Sequence, residues 1–137
     1  MTTSNRRGFI GTAAALVAGT AVATASPLTH STTATPPLIH HAIFWLKNPA
    51  STEDRDKLVE GVKTLAGINT VQTLHVGVLA QTEKRDVVDT SWAVSEIMFF
   101  KDLAGQATYQ THPIHLAFIK NYGHLWEKVV VYDALTV

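Results

Sequence analysis

Residues that can transfer protons cluster in one short segment, Tyr109–His115. Pro113 suits the first position of a helix, because its missing N–H would have no partner there. His115 then falls in the first turn of that helix, on the same face as Phe118 and Ile119. The positive end of the helix dipole disfavours a second positive charge, so we expect a neutral, buried imidazole. Such a group can act as a general base.

Apolar periodicity after residue 38 predicts the elements that position this segment. Alternating apolar residues predict strands, and apolar residues at helical spacing predict helices. The strands are expected at 38–47, 71–78, 92–100 and 126–133, and the helices at 51–66, 102–109 and 113–122. This order is typical of a ferredoxin-like, split βαβ fold of the α+β class, with a four-stranded antiparallel sheet.

Both faces of the predicted sheet are apolar. On the first strand, alternation places His40 and Phe44 on one face and Ile39 and Ile43 on the other. The helices can cover only one side of four strands, so the second side requires another molecule. We therefore expect a homodimer that packs sheet against sheet.

The motif Tyr-x-x-His-Pro-x-His at 109–115, together with Leu125–Asp133, resembles the stress-responsive A/B barrel family. The resemblance covers about residues 38 to 134 and implies a dimeric α+β barrel. In the cyclase-like members, a pocket lies between sheet and helices and needs no metal or cofactor. The resemblance assigns three residues to it, with His115 as general base, Tyr109 holding the substrate through its hydroxyl, and His40 lining the pocket.

Further residues are expected to line that pocket, namely Phe44, Phe118, His112 and Glu96. Glu96 departs from the cyclase-like members, which have an apolar residue at the matching position. By alternation it shares a face with Val94 and Met98, so it either enters the pocket or is turned to water by a bulge. If it faces inward, it can orient an imidazole or act as an acid.

Two functions agree with these residues. The first is an exported small-molecule-binding protein without turnover, with a small apolar or carbonyl ligand. The alternative is a cofactor-independent enzyme of the lyase or cyclase type, in which His115 removes a proton from a carbonyl substrate. A purely structural role is also open, since histidines on apolar faces are often satisfied core residues.

Metal binding has weaker support. His112 and His115 with His124, or His75 with Glu96, are the possible ligand sets, and neither spacing matches an established zinc pattern. We therefore expect no metal.

The N-terminus predicts export. Arg6 and Arg7 form a twin-arginine pattern, followed by a weakly apolar stretch and the small residues Ala23–Ala25. We expect a signal peptide at 1–25, a flexible spacer at 26–37 and the folded domain at 38–137, with a periplasmic or secreted location. No membrane association is expected after cleavage, because the apolar stretch is too weak for a stable span.

The charge and the cysteine content of the chain argue against nucleic-acid-binding and disulfide-stabilised classes of protein. Cleavage would lower Lys+Arg from 11 to 9 against 11 Asp+Glu, which gives a net charge of −2. A mildly acidic chain with no basic cluster argues against nucleic-acid binding. The chain has no cysteine, so its stability must come from packing or oligomerisation.

Overall fold

The structure is a computed structural model, and it describes residues 38–137. The predicted signal peptide and spacer lie outside the described residues. The elements are, in chain order, β1 (Leu38–Leu46), α1 (Thr52–Lys63) with a following 3₁₀ turn (Thr64–Gly67), β2 (Val71–Val78), β3 (Val94–Phe100), α2 (Leu103–Thr111), α3 (Pro113–Tyr122) and β4 (Trp126–Leu135).

The four strands form one antiparallel sheet in the order β2-β3-β1-β4. The predicted ferredoxin-like α+β fold is confirmed. The strand boundaries differ slightly from the prediction, because β3 begins at Val94 instead of residue 92 and β4 continues to Leu135. Within residues 38–137, no helix is long and apolar enough to cross a membrane.

The core lies between one face of the sheet and the helices. In β1, each second side chain from Leu38 to Leu46 is buried against the helices. Ser51 caps the N-terminus of α1, and its Oγ accepts a hydrogen bond from the Asp54 backbone N–H at 3.1 Å. The inner side chains of this helix, Leu58 and Val62, are fully buried, and burying each such side chain stabilises the fold by about 1.5–3 kcal/mol.

His112 ends α2 and caps α3. Its backbone is extended (φ −65°, ψ 138°), and its Nδ1 accepts a hydrogen bond from the Ile114 backbone N–H at 3.1 Å. Pro113 then occupies the first helical position, as the sequence predicts. This break allows α3 to take its own direction across the sheet.

Close packing against α1 fixes the position of α3. A Cβ atom on Gly61 would lie 2.6 Å from the ring of Tyr122, so only glycine allows this approach. The helix that carries His115 is therefore held at its C-terminal end by α1.

The helices of residues 38–137 leave two surfaces of the sheet uncovered. On β4, Val129 and Val131 pair with Phe44 and Ala42 and so face the helix side, yet they are 42% and 43% exposed. The opposite face of the sheet carries half-buried apolar side chains, which are Ile39, Ile43, Trp45, Ile97, Phe99 and Val130. We call this second surface the outer face.

Candidate functional site

An open pocket of about 320 Å³ lies in the gap between α3 and β4. Five polar or titratable residues line it, which are His40, Glu96, Tyr109, Gln110 and His115. The remaining lining is apolar and includes Phe118, Ile119, Trp126, Val129 and Val131. A few convergent polar groups in an apolar cleft are typical of small-molecule sites.

Glu96 lies at the inner end of this pocket. It is directly opposite Ala42 on β1 and Val76 on β2, and it is 1% exposed. Burial raises the pKa of its carboxyl group from 4.5 to about 7, and the hydrogen bond from Tyr109 opposes part of this rise. Of the two orientations that the sequence allows, the structure has the inward one.

Tyr109 lies between the two imidazoles of the site. Its ring centroid is 5.6 Å from that of His40 and 4.4 Å from that of His115. Its hydroxyl donates a hydrogen bond to Oε1 of Glu96 at 3.4 Å. Burial raises the pKa of this hydroxyl, and the Glu96 carboxyl group raises it further, so the phenol keeps its proton and remains a donor.

His115 presents an unprotonated nitrogen. Its Nδ1 lies 3.0 Å from the backbone carbonyl of Gln110, in the last turn of α2, where carbonyls lack helical partners. A carbonyl can only accept, so Nδ1 carries the proton and Nε2 has the free lone pair. Burial lowers the pKa of the imidazole, the Gln110 hydrogen bond opposes this, and His40 adds to the lowering. The ring is only half-buried, not buried as expected, because Val129 and Val131 leave the gap beside β4 open.

His40 is held by a residue that the sequence analysis did not select. Asp133 is its direct partner on β4, and Asp133 Oδ1 lies 2.6 Å from His40 Nδ1. This contact orients the ring and leaves Nε2 4.0 Å from Glu96 Oε1. Cross-strand pairing could have revealed Asp133 only if the order of the strands had been known.

Two of the residues expected in the pocket lie elsewhere. Phe44 is buried behind it, with its ring 6.4 Å from Phe118 and 5.3 Å from Trp126. His112 caps α3 and is not a lining residue. Phe118 does line the pocket. Trp126, which the sequence analysis did not place here, also contributes to its wall.

A larger pocket, of about 400 Å³, lies near the end of β1. Trp45, Arg55 and Trp92 contribute to its lining, and none of the proton-transfer residues reaches it. The indole N–H groups of both tryptophans are already hydrogen-bonded, to Ser91 and to the Asp89 carbonyl. The smaller pocket is therefore the better candidate, since of these two only it combines histidines with a buried carboxyl group.

The proposed metal ligands do not assemble in the described part of the chain. No group of three His, Asp or Glu residues between 38 and 137 could hold an ion. His75 pairs with Ile97, so it lies on the other face of the sheet from Glu96.

Comparison with solved structures places this fold among known proteins. A dimeric protein of unknown function with a ferredoxin-like fold from Bacteroides fragilis is 20% identical (TM-score 0.59, covering 74% of this chain and 98% of that chain). A Dabb-family protein from Mesorhizobium loti is 24% identical (TM-score 0.59, 73% and 96%). The hydroxynitrile lyase from Passiflora edulis is 19% identical (TM-score 0.60, 74% and 95%). At these identities the likeness shows a shared fold.

Sequence comparison identifies the family. No curated protein matches the chain. The profile of the stress responsive A/B barrel domain matches residues 38–135, which include every strand and helix of the described structure. The chain therefore belongs to the stress responsive A/B barrel domain family.

Proposed function

We propose that this protein is a cofactor-independent enzyme of the lyase or cyclase type, which removes a proton from a small neutral carbonyl compound. His115 Nε2 is the base. The Tyr109 hydroxyl holds the substrate oxygen, and His40 supports the ring of Tyr109. The observation that carries this proposal is the convergence of His40, Glu96, Tyr109 and His115 on one pocket.

The electrostatics of the pocket support this chemistry. The lowered pKa of His115 keeps its imidazole neutral near neutral pH, as a general base requires. The buried phenol of Tyr109 can stabilise the negative oxygen that forms when the carbon loses its proton. The lyase from Passiflora edulis has the same fold, so the fold is compatible with an activity of this class.

The charge and size of the pocket favour a small neutral substrate. Among the lining residues in the described part of the chain there is no lysine or arginine to neutralise an anion. The volume of about 320 Å³ is at the lower end of the range for ligand pockets. Phenylacetone, a neutral ketone with one aromatic ring, is therefore a suitable probe.

Replacing His115 with alanine should abolish proton removal. We expect the wild-type protein to exchange the α-protons of phenylacetone for deuterium in D₂O, followed by proton NMR. His115→Ala should slow this exchange by about a hundredfold or more, because a positioned general base contributes that much. His124→Asn is the matched control, since His124 is exposed and outside the pocket, and it should exchange at the wild-type rate. Equal rates in His115→Ala and the wild type would refute the proposal.

Ligand binding without turnover is the second candidate. One observation favours it, since the Tyr109 hydroxyl donates to Glu96 and would have to leave that carboxyl group to hold a substrate oxygen. In that case phenylacetone would raise the melting temperature of the wild-type protein, and its α-protons would not exchange.

We also propose that two copies pack through the outer face into a homodimer. A face with six half-buried apolar side chains is unusual for a monomer in water. The relative from Bacteroides fragilis is described as dimeric, which supports the same association here.

A charge in the centre of the outer face should separate the dimer. Ile43 lies on the central strand β1 and points to this face. We expect Ile43→Glu to sediment as a monomer at micromolar concentration and the wild type as a dimer, because the variant would bury a carboxylate without a partner. Val87→Glu makes the same kind of change on an 85% exposed side chain and should remain dimeric. A monomeric wild-type protein would refute this interface.

We further propose that the protein is exported through the twin-arginine pathway and cleaved before Ser26. The pattern at Arg6 and Arg7 supports this proposal. In a bacterium with this pathway, N-terminal sequencing of the exported protein should begin at Ser26. Replacing both arginines with lysine should retain the uncleaved protein in the cytoplasm. Unchanged export of that variant would contradict the proposal.

A further inference from the structure

Glu96 is a carboxyl group in the most buried part of the sheet. It lies on β3, a central strand, and its neighbours on the same face, Val94 and Met98, are fully buried. An apolar side chain would pack here without desolvating a polar group, so the carboxyl group destabilises the fold unless it has a partner or a function. The Tyr109 hydroxyl, at 3.4 Å, is a weak partner.

The described residues provide no permanent positive charge for Glu96. His40 Nε2 lies 4.0 Å from Glu96 Oε1, and the Nδ1 atom of the same ring contacts Asp133 Oδ1. An ionised Asp133 can only accept from the ring, so Nδ1 of His40 carries a proton in this contact and only Nε2 faces Glu96. Burial without a permanently charged partner favours a protonated Glu96, which has a proton to give.

We propose that Glu96 is the acid of the site, donating a proton to the substrate oxygen while His115 removes the proton from carbon. The assignment rests on the proposed function. It adds a second proton-transfer group to a pocket in which the family resemblance implies only a base and a phenol.

The step balances in atoms and electrons. The C–H proton moves to Nε2 of His115, and the electron pair of that bond becomes the new C=C bond. The π electrons of the carbonyl move to oxygen, which takes the proton from the Glu96 carboxyl group. The products are an enol, an imidazolium at His115 and a carboxylate at Glu96. In the reverse step, the Glu96 carboxylate takes the proton back from the enol oxygen. His115, whose proton has exchanged with solvent, delivers deuterium to carbon, and the ketone is restored in exchanged form.

The pH dependence follows from the two groups. His115 must be neutral, so exchange should fall as the pH drops through its pKa, which lies below 6.5. Glu96 must be protonated, so exchange should also fall as the pH rises above its pKa of about 7. The other titratable groups that face Glu96 are His40 on β1, Tyr109 on α2 and Asp133 through His40, whereas α1 and β2 contribute apolar core side chains.

The test is the pH profile of phenylacetone exchange from pH 5 to pH 9. The wild type should give a bell-shaped profile whose alkaline limb falls about tenfold per pH unit well above neutrality. Glu96→Gln keeps the shape and an N–H donor but has no proton to lose, so its profile should lack the alkaline limb and its maximum should be at least about tenfold lower. Glu60→Gln makes the same change on an exposed residue of α1 and should keep both limbs.

The outcomes separate this assignment from the proposed function. If the wild type exchanges, His115→Ala does not, and Glu96→Gln retains the alkaline limb, then Glu96 is structural and the assignment is overturned alone. The assignment of Glu96 as the acid is also overturned if Glu96→Gln exchanges more slowly than the wild type by the same factor at every pH and keeps both limbs of the profile. If the wild type fails to exchange phenylacetone, the proposed function and the role of Glu96 are overturned together.

Discussion

The helices between residues 38 and 137 are too few to cover the sheet, and most features of the proposed site follow from that constraint. The helices bury the inner faces of β1 and β3 but leave Val129 and Val131 on β4 more than two-fifths exposed. The gap between α3 and β4 is the pocket. Within residues 38–137 no helix covers the outer face, which is the physical reason to propose a dimer. The proposed catalysis and the proposed association thus both depend on one incomplete layer.

The same gap gives the buried carboxyl group access to a ligand. Glu96 is deep enough for burial to raise its pKa to about 7, yet it lines a pocket that opens beside β4. His115, nearer the opening, has its pKa shifted in the opposite direction. Titratable groups with perturbed pKa values in one cleft are characteristic of proton-transfer sites. Asp133 orients the ring of His40. The side chain of Tyr109 contacts Glu96 and both imidazoles.

The sequence predicted what depends on periodicity and failed where spatial neighbours matter. Alternation placed His40 on the inner face, and the His112-Pro113 pair marked the break between α2 and α3. For Glu96 the sequence left an inward and an outward orientation open, and the structure has the inward one. The sequence could not predict the contact between His40 and Asp133, since that depends on β4 pairing with β1. The prediction from the sequence also overestimated the burial of His115. Apolar neighbours on a helix do not reveal whether the sheet extends far enough to cover that ring.

Measuring the pKa of Glu96 tests the proposed acid–base site most directly. NMR titration of the Glu96 side-chain carboxyl carbon gives the titration midpoint of this group and requires no ligand. The resonance is assigned as the one that Glu96→Gln removes. A midpoint near the value of about 7 is the result expected for a desolvated carboxyl group that lacks a cation. A midpoint near the ordinary value of 4.5 would show a solvated or paired carboxylate, and would contradict the acid–base site described for this pocket.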